Sequence, residues 1–156
     1  MQVCPCGSNQ SFAQCCQLLH LGVPAHSAEQ LMRSRYSAYV VGNIEYIINT
    51  TVSAQQGLLD MAAIRDWSTQ NQWLGLSIVS VQPALKPQHA KVECIARFRD
   101  HSGEQHHHEH SSFVRIAGRW YFLDPTVACS LSLKSPCLCG SGQKFKRCCA
   151  FFLAKV

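Results

Sequence analysis

Ala90-Lys91-Val92-Glu93-Cys94-Ile95-Ala96-Arg97-Phe98-Arg99 alternates with a period of two. Val92, Cys94, Ala96 and Phe98 fall on one side, and Glu93, Arg97 and Arg99 on the other. That pattern predicts a strand with one buried face, on which Cys94 is expected to be buried and inert. Leu74 to Val81, His106 to Ile116 and Trp120 to Leu123 share the β-branched and aromatic character. Pro83, Pro87, His101-Ser102-Gly103 and Ala117-Gly118 separate these runs as hairpin turns would, so an antiparallel meander is predicted.

Upstream the period changes. Ser27 is placed to cap a helix over Ala28 to Val41, with Leu31, Met32, Tyr36, Tyr39 and Val40 at helical spacing and Gly42 at its end. Asn43 is placed to cap Ile44 to Asn49, and Asp60 to Gln70 forms a third helix with Met61, Ile64 and Trp67 on one side. Helices followed by a meander describe an α+β domain, over residues 26–126. Trp67, Trp73 and Trp120 are expected to anchor its core.

Outside this domain the cysteines dominate. Eight of the ten lie in two groups, Cys4, Cys6, Cys15, Cys16 and Cys137, Cys139, Cys148, Cys149; Cys94 and Cys129 stand apart. The segments 4–16 and 137–149 align without gaps, matching at eight of thirteen positions: the four cysteines, Gly7/Gly140, Ser8/Ser141, Gln10/Gln143 and Phe12/Phe145. The copies are too far apart for a solenoid, and residues 1–22 and 134–156 read as two clips flanking the middle domain.

With 47% apolar and 15% charged residues, the composition is that of a folded globular protein. No apolar run approaches the roughly 20 residues of a membrane span. The residues after Met1 carry no basic and apolar leader, so the cytoplasm is the expected location and no membrane partner is expected. Clustered cysteines in a reducing compartment point to metal, and Zn2+ with four thiolate ligands fits best, two ions per chain. Disulfides, free thiols and iron–sulfur ligation are the alternatives. Four thiolates leave no open position, so both sites are expected to be structural, with the metal supplying folding energy that such small clips cannot gain by burial. Gly7 and Gly140 would ease the turn after each Cys-x-Cys pair, and Ser8 and Ser141 could bond to sulfur.

Two such sites would lower the formal charge of +5 to about +1, which removes most of the support for general nucleic-acid binding. The basic residues are unevenly placed. Lys144, Lys146 and Arg147 lie inside the second clip, where the first has Ser11, Ala13 and Gln14. They either balance the thiolates or form a docking surface for an acidic protein partner.

Cys137-x-Cys139-Gly140-Ser141-Gly142-x-Lys144-Phe145-Lys146-x-Cys148-Cys149 resembles the SEC-C motif, the zinc-binding tail of the SecA preprotein-translocase ATPase that contacts the SecB chaperone. With a copy at each end, and with Leu31-Met32-Arg33-Ser34-Arg35-Tyr36-Ser37-Ala38-Tyr39 and Gly118-Arg119-Trp120-Tyr121-Phe122 between them, the chain is similar to the bacterial YchJ (UPF0225) family. The resemblance implies an NTF2-like, cone-shaped α+β middle domain, zinc ligation by all eight clip cysteines, and, less directly, partner binding. The first copy lacks the lysines and has Asn9 where the second has Gly142.

Such cones often hold a pocket, for which Arg33, Arg35, Tyr36, Tyr39 and Asp124 are polar candidates. More plainly, the tyrosines pack the core, the two arginines are partly solvated, and an Arg–Asp pair would be structural. On an extended strand His106, His108 and His110 point one way and His107 and Glu109 the other, so the tract could bind a metal or let Glu109 orient an imidazole. An exposed strand with no such role is the simpler expectation. Cys129 is expected to be exposed, without a base to activate it. No catalytic residue is assigned, and a protein-interaction adaptor is the leading expectation. The alternatives are a small-molecule-binding or enzymatic cone, and nucleic-acid or ribosome binding through the basic clip.

Overall fold

The structure, a computed structural model, describes residues 2–83, 86–127, 132–139 and 141–150. Gly140, Cys129 and Lys155 lie outside the described residues. Five helices precede four strands: α1 (Cys16–His20), α2 (Ala28–Val41), α3 (Ile44–Asn49), α4 (Ser53–Gln56), α5 (Met61–Thr69), β1 (Gln72–Pro83), β2 (His89–Asp100), β3 (Gly103–Ile116) and β4 (Arg119–Leu123). The strands form one antiparallel sheet in the order β1-β2-β3-β4. The expected α+β arrangement is present, and α2 and α3 have the expected bounds. The Ser27 and Asn43 side chains accept from Gln30 and Tyr46 N–H, and Gly42 closes α2 at φ 77°. The short α1 and α4 are additional.

The helix α2 lies on the inner face of the sheet. Ala28 and Leu31 pack with Ala90, Val92, Phe113 and Phe122, and Tyr36 packs with Leu76 and Cys94. Ala38 joins Ile44 and Ile47 on the helix side. Cys94 is buried as expected, and burial pushes its thiol up to about 12. Beyond β4, Val52 N–H donates to Phe122 and Phe122 N–H to Thr50, so the chain at 50–52 covers the sheet edge.

The outer face explains a departure from simple alternation. Ser111, Ser112, Phe113 and Val114 are all buried in succession on β3. One side of this run meets α2, whereas the other lies under the C-terminal clip. Val114 and Leu123 form a single cluster with Val52, Cys137, Cys139, Phe145, Cys148 and Cys149. The C-terminal clip, which flanks the domain in sequence, therefore packs as a second layer on its sheet.

Three side-chain expectations are corrected. Trp67 is 40% exposed and Met61 53% exposed, because α5 turns Ser68 inward and leaves its apolar stripe at the rim. Arg35, expected to be partly solvated, is 4% exposed. Its Nη1 donates to Ile47 O at 2.8 Å and to Thr50 Oγ1 at 2.7 Å. Neither arginine pairs with Asp124 among the described residues: Arg33 meets Glu29 at 3.8 Å, and Asp124 caps Thr126.

Candidate metal centres and a central cavity

The two cysteine segments fold alike, bond for bond. Cys4 N–H donates to Gln10 O at 2.8 Å, and Cys137 N–H to Gln143 O at 2.8 Å. Isolated bridges join Val3 to Ser11 and Pro136 to Lys144. A single 3-10 turn follows in each, Phe12–Gln14 and Phe145–Arg147, and presents the closing Cys-Cys pair. Gly7 has φ 86°, and Asn9 and Gly142 share the left-handed region at 64° and 81°. Asn is the non-glycine residue that tolerates this conformation best, which is why the substitution leaves the loop unchanged.

The four N-terminal sulfurs Cys4, Cys6, Cys15 and Cys16 lie within 4.8 Å of one another. Cys6 and Cys15 Sγ are 3.6 Å apart, and Cys15 and Cys16 Sγ 3.9 Å. In the C-terminal copy Cys139 Sγ is 3.6 Å from Cys137 Sγ and 3.4 Å from Cys148 Sγ. A disulfide requires about 2.05 Å. Four sulfurs at about 2.3 Å from a tetrahedral ion are roughly 3.8 Å apart, close to what both copies present. The nine described cysteines are all free. The donor chemistry of both cysteine clusters thus fits a metal ion; in the C-terminal copy the donors that lie within 4.8 Å of one another are Cys139, Cys148, Cys149 and His89, with Cys137 next to Cys139.

Hydroxyls complete each set. Ser8 Oγ is 3.2 Å from Cys15 Sγ, and Ser141 donates to Cys148 Sγ at 3.3 Å. Hydrogen bonding, chiefly from Cys16, lowers the Cys6 thiol to about 4. Burial opposes ionisation of Cys139, but bonds from Ser141 and Cys148 bring it to about 7. Within each set only the second cysteine is lowered in this way, whereas Cys15, Cys16, Cys137 and Cys149 are raised, as crowding of thiols without a cation would produce.

Both clips dock on the middle domain. In the first, Arg33 Nη1 donates to Cys6 O at 2.6 Å, Ser37 Oγ lies 3.6 Å from Cys4 Sγ, and His20 Nε2 meets Ser34 O at 2.9 Å. In the second, His89 at the start of β2 places Nε2 3.1 Å from Cys149 Sγ. Burial lowers the pKa of His89. Sequence reasoning missed this residue: it belongs to no motif, and only the fold brings it to cysteines 60 positions away. Lys144, Lys146 and Arg147 of the same clip are exposed.

The histidine tract divides by strand alternation. His108 and His110 face outward with Glu93 of β2, and the three could hold an ion. Glu93 Oε2 is 2.6 Å from His108 Nε2 and 3.6 Å from His110 Nε2. The His108 bond lowers the Glu93 pKa. His106 is exposed near Glu104. His107 instead lines a cavity of about 300 Å³ between α2 and the sheet, beside Glu109 at 3.2 Å. Arg35, Tyr36, Tyr39 and Asp124 also line it, as predicted, whereas Arg33 does not. Trp67 and Trp73 form aromatic walls, their centroids 5.8 Å apart. Burial opposes ionisation of Glu109, but the His107 bond, with Ser111 and the charge of Arg35, together hold the carboxyl below its usual range. The same bond raises His107.

Residues 27–125 match the family described as YchJ, middle NTF2-like domain, and residues 2–18 and 134–151 match the SEC-C motif. A UPF0225 protein of Actinobacillus succinogenes is 50% identical over 152 residues, covering 97% of this chain and 98% of that protein. Two solved structures are similar, both of SEC-C motif containing proteins. That from Psychrobacter arcticus has TM-score 0.89 and 45% identity, covering 97% of each chain. That from Rhodopseudomonas palustris has TM-score 0.71 and 39% identity, covering 79% of this chain and 96% of that one.

Proposed function

We propose a function from one premise, that the chain belongs to the YchJ-type UPF0225 family, an NTF2-like domain with a SEC-C motif at each end: it is a zinc-stabilised interaction protein whose C-terminal clip presents a basic face to an acidic protein. The observation that carries this reading is the two-sidedness of that clip. One side is buried on Val52, Val114 and Leu123, and the other exposes Lys144, Lys146 and Arg147 from a metal-braced turn. A rigid, positively charged turn with few exposed apolar groups suits electrostatic docking more than hydrophobic capture. Zinc is the metal proposed because a closed four-thiolate set is its usual structural site. No helix among the described residues is long and apolar enough to cross a membrane.

Reversing the charge at Lys144, Lys146 and Arg147 together is expected to leave metal content and melting temperature unchanged. Capture of acidic partners from a cell extract should fall at least tenfold, and the residual capture should lose its salt dependence. An unchanged partner set would remove the basic face from the account. Nucleic acid captured instead, with a steep salt dependence, would favour the ribosome or nucleic-acid alternative.

A second reading is favoured by the cavity, which combines aromatic walls with Arg35, Glu109 and Asp124. In it the domain binds a small, largely apolar molecule whose polar group meets Glu109. Fragment screening by NMR is expected to give shifts at Trp73 and Ala96, and Glu109→Gln should weaken any hit about tenfold. The same variant tests the pair by pH. His107 has its pKa raised, so its contribution is present below its ordinary 6.5 and is lost as pH rises through the folded value. Glu109 has its pKa lowered, so its contribution is present above 4.5 and lost as pH falls. The stability difference between wild type and Glu109→Gln should therefore peak between pH 4.5 and 6.5. Arg35, charged throughout, also acts on this carboxylate and shifts the difference uniformly across that window. A difference that is flat with pH would show that the pair is not formed in solution.

A further inference from the structure

The metal centres draw on the middle domain as well as on their own loops. His89 opens β2 on the outer face, opposite Val114, and is 6% exposed. Donor atoms of His89, Cys139, Cys148 and Cys149 all lie within 4.8 Å of one another. Cys137, outside that mutual group but 3.6 Å from Cys139, brings the possible ligands of the C-terminal copy to five, one more than a four-coordinate ion takes.

The two copies together show which of the five is extra. The N-terminal copy assembles the same four cysteines with no histidine, and its chain repeats the C-terminal bonding pattern. A divalent ion with four thiolates carries two excess negative charges, which hydrogen-bond donors must stabilise. Ser141 supplies one to Cys148, and Cys149 N–H supplies one to Cys137 at 3.4 Å. Cys149 receives His89 Nε2 at 3.1 Å. On the N-terminal side a different cysteine of the set, Cys4, the counterpart of Cys137, has a middle-domain hydroxyl near it, Ser37 Oγ of α2 at 3.6 Å. Each clip thus has a polar side chain of the middle domain beside one of its sulfurs.

We propose that His89 is a positioning residue of the C-terminal metal centre: outside the ion's coordination sphere, it donates its Nε2–H to the Cys149 thiolate and fastens the loaded clip to the sheet. It supplies what a loop of thirteen residues cannot, a donor whose place is fixed by strand pairing. Metal occupancy is thereby linked to the edge of β2. The inference rests on the C-terminal motif holding a metal.

The test uses the full chain loaded with 113Cd2+ and labelled with 15N-histidine. Two cadmium resonances in the tetrathiolate region are expected, neither with a one-bond coupling to nitrogen. His89→Ala should move only one of them slightly and speed metal release from that centre to a chelator about 10- to 100-fold. His89→Gln, which keeps an N–H donor, should recover part of the loss. The second centre serves as internal reference, so a variant that fails to fold is recognised by both resonances broadening. In that event the wild-type coupling measurement still decides. A one-bond cadmium–nitrogen coupling would make His89 a ligand and overturn the proposal. Unchanged release from His89→Ala would also overturn it. A chain that takes up no cadmium at the C-terminal motif would instead sink the metal-centre reading itself.

Discussion

Stripping the metal from both clips is expected to lower the melting temperature by roughly 10–20 °C, with the C-terminal clip responsible for most of the loss. A structural zinc contributes on the order of 10 kcal/mol to the fold of a small clip, which has no sufficient core of its own. When the C-terminal clip opens, Val114 and Leu123, now 0% and 1% exposed, lose their cover on the outer face, as does Val52 at 1%. Each is worth ~1.5–3 kcal/mol when buried, and a domain of this size melts ~2–4 °C lower per kcal/mol lost. The N-terminal clip shields less. Its own cluster holds Cys4, Cys6 and Cys16 with Phe12 and Cys15, and it meets α2 mainly through hydrogen bonds. Cys148→Ser should therefore destabilise more than Cys15→Ser. Melting curves with and without chelator, alongside elemental analysis of metal per chain, check both statements. Equal losses from the two variants would show that the outer-face layer contributes little.

Much of this arrangement was legible in the sequence, because local chemistry dictated it. Ser27 and Gly42 bound α2 through a cap bond and a left-handed residue, neither of which needs tertiary context. Alternation along β2 placed Cys94 correctly, and the gapless cysteine repeat became two loops with matching bonds. What could not be read depends on which surfaces meet. Ser111 to Val114 loses its period because two layers cover it, and nothing in a single strand names the second layer. His89 carries no motif. His107 and Glu109 were assigned to the opposite side from His108 and His110, but only the position of α2 turns that side into a cavity wall. Arg35 was misread for a related reason: charge argues for solvent, whereas three buried acceptors left by α3 and its exit argue for the interior.

Those acceptors make Arg35 the single side chain of the middle domain whose loss should cost most. Its Nη1 reaches the Ile47 carbonyl and Thr50 Oγ1, with Thr51 Oγ1 at 3.4 Å, while its guanidinium lies 4.3 Å from the Phe122 ring centroid. Burial lowers its pKa, and Tyr39, Glu109 and Asp124 act in the opposite sense. The group thus ties the end of α3 to α2 and to β4. Hydrogen bonds from a charged donor are worth ~1.5–3 kcal/mol each, so Arg35→Ala is expected to cost about 3–5 kcal/mol. Three substitutions separate the contributions. Arg35→Ala removes bonds and packing together, and should melt roughly 10 °C lower. Arg35→Met keeps most of the contact with Phe122 and removes only the bonds, so it should recover about a third of the loss. Arg35→Lys keeps the charge, but its single ammonium cannot reproduce the planar fork that lies over Phe122 while reaching three acceptors. A methionine variant as stable as wild type would mean that the buried charge confers no net stability. Its place beside Glu109 in the cavity wall would then need a functional reason, and ligand binding by that variant would be the measurement to make next.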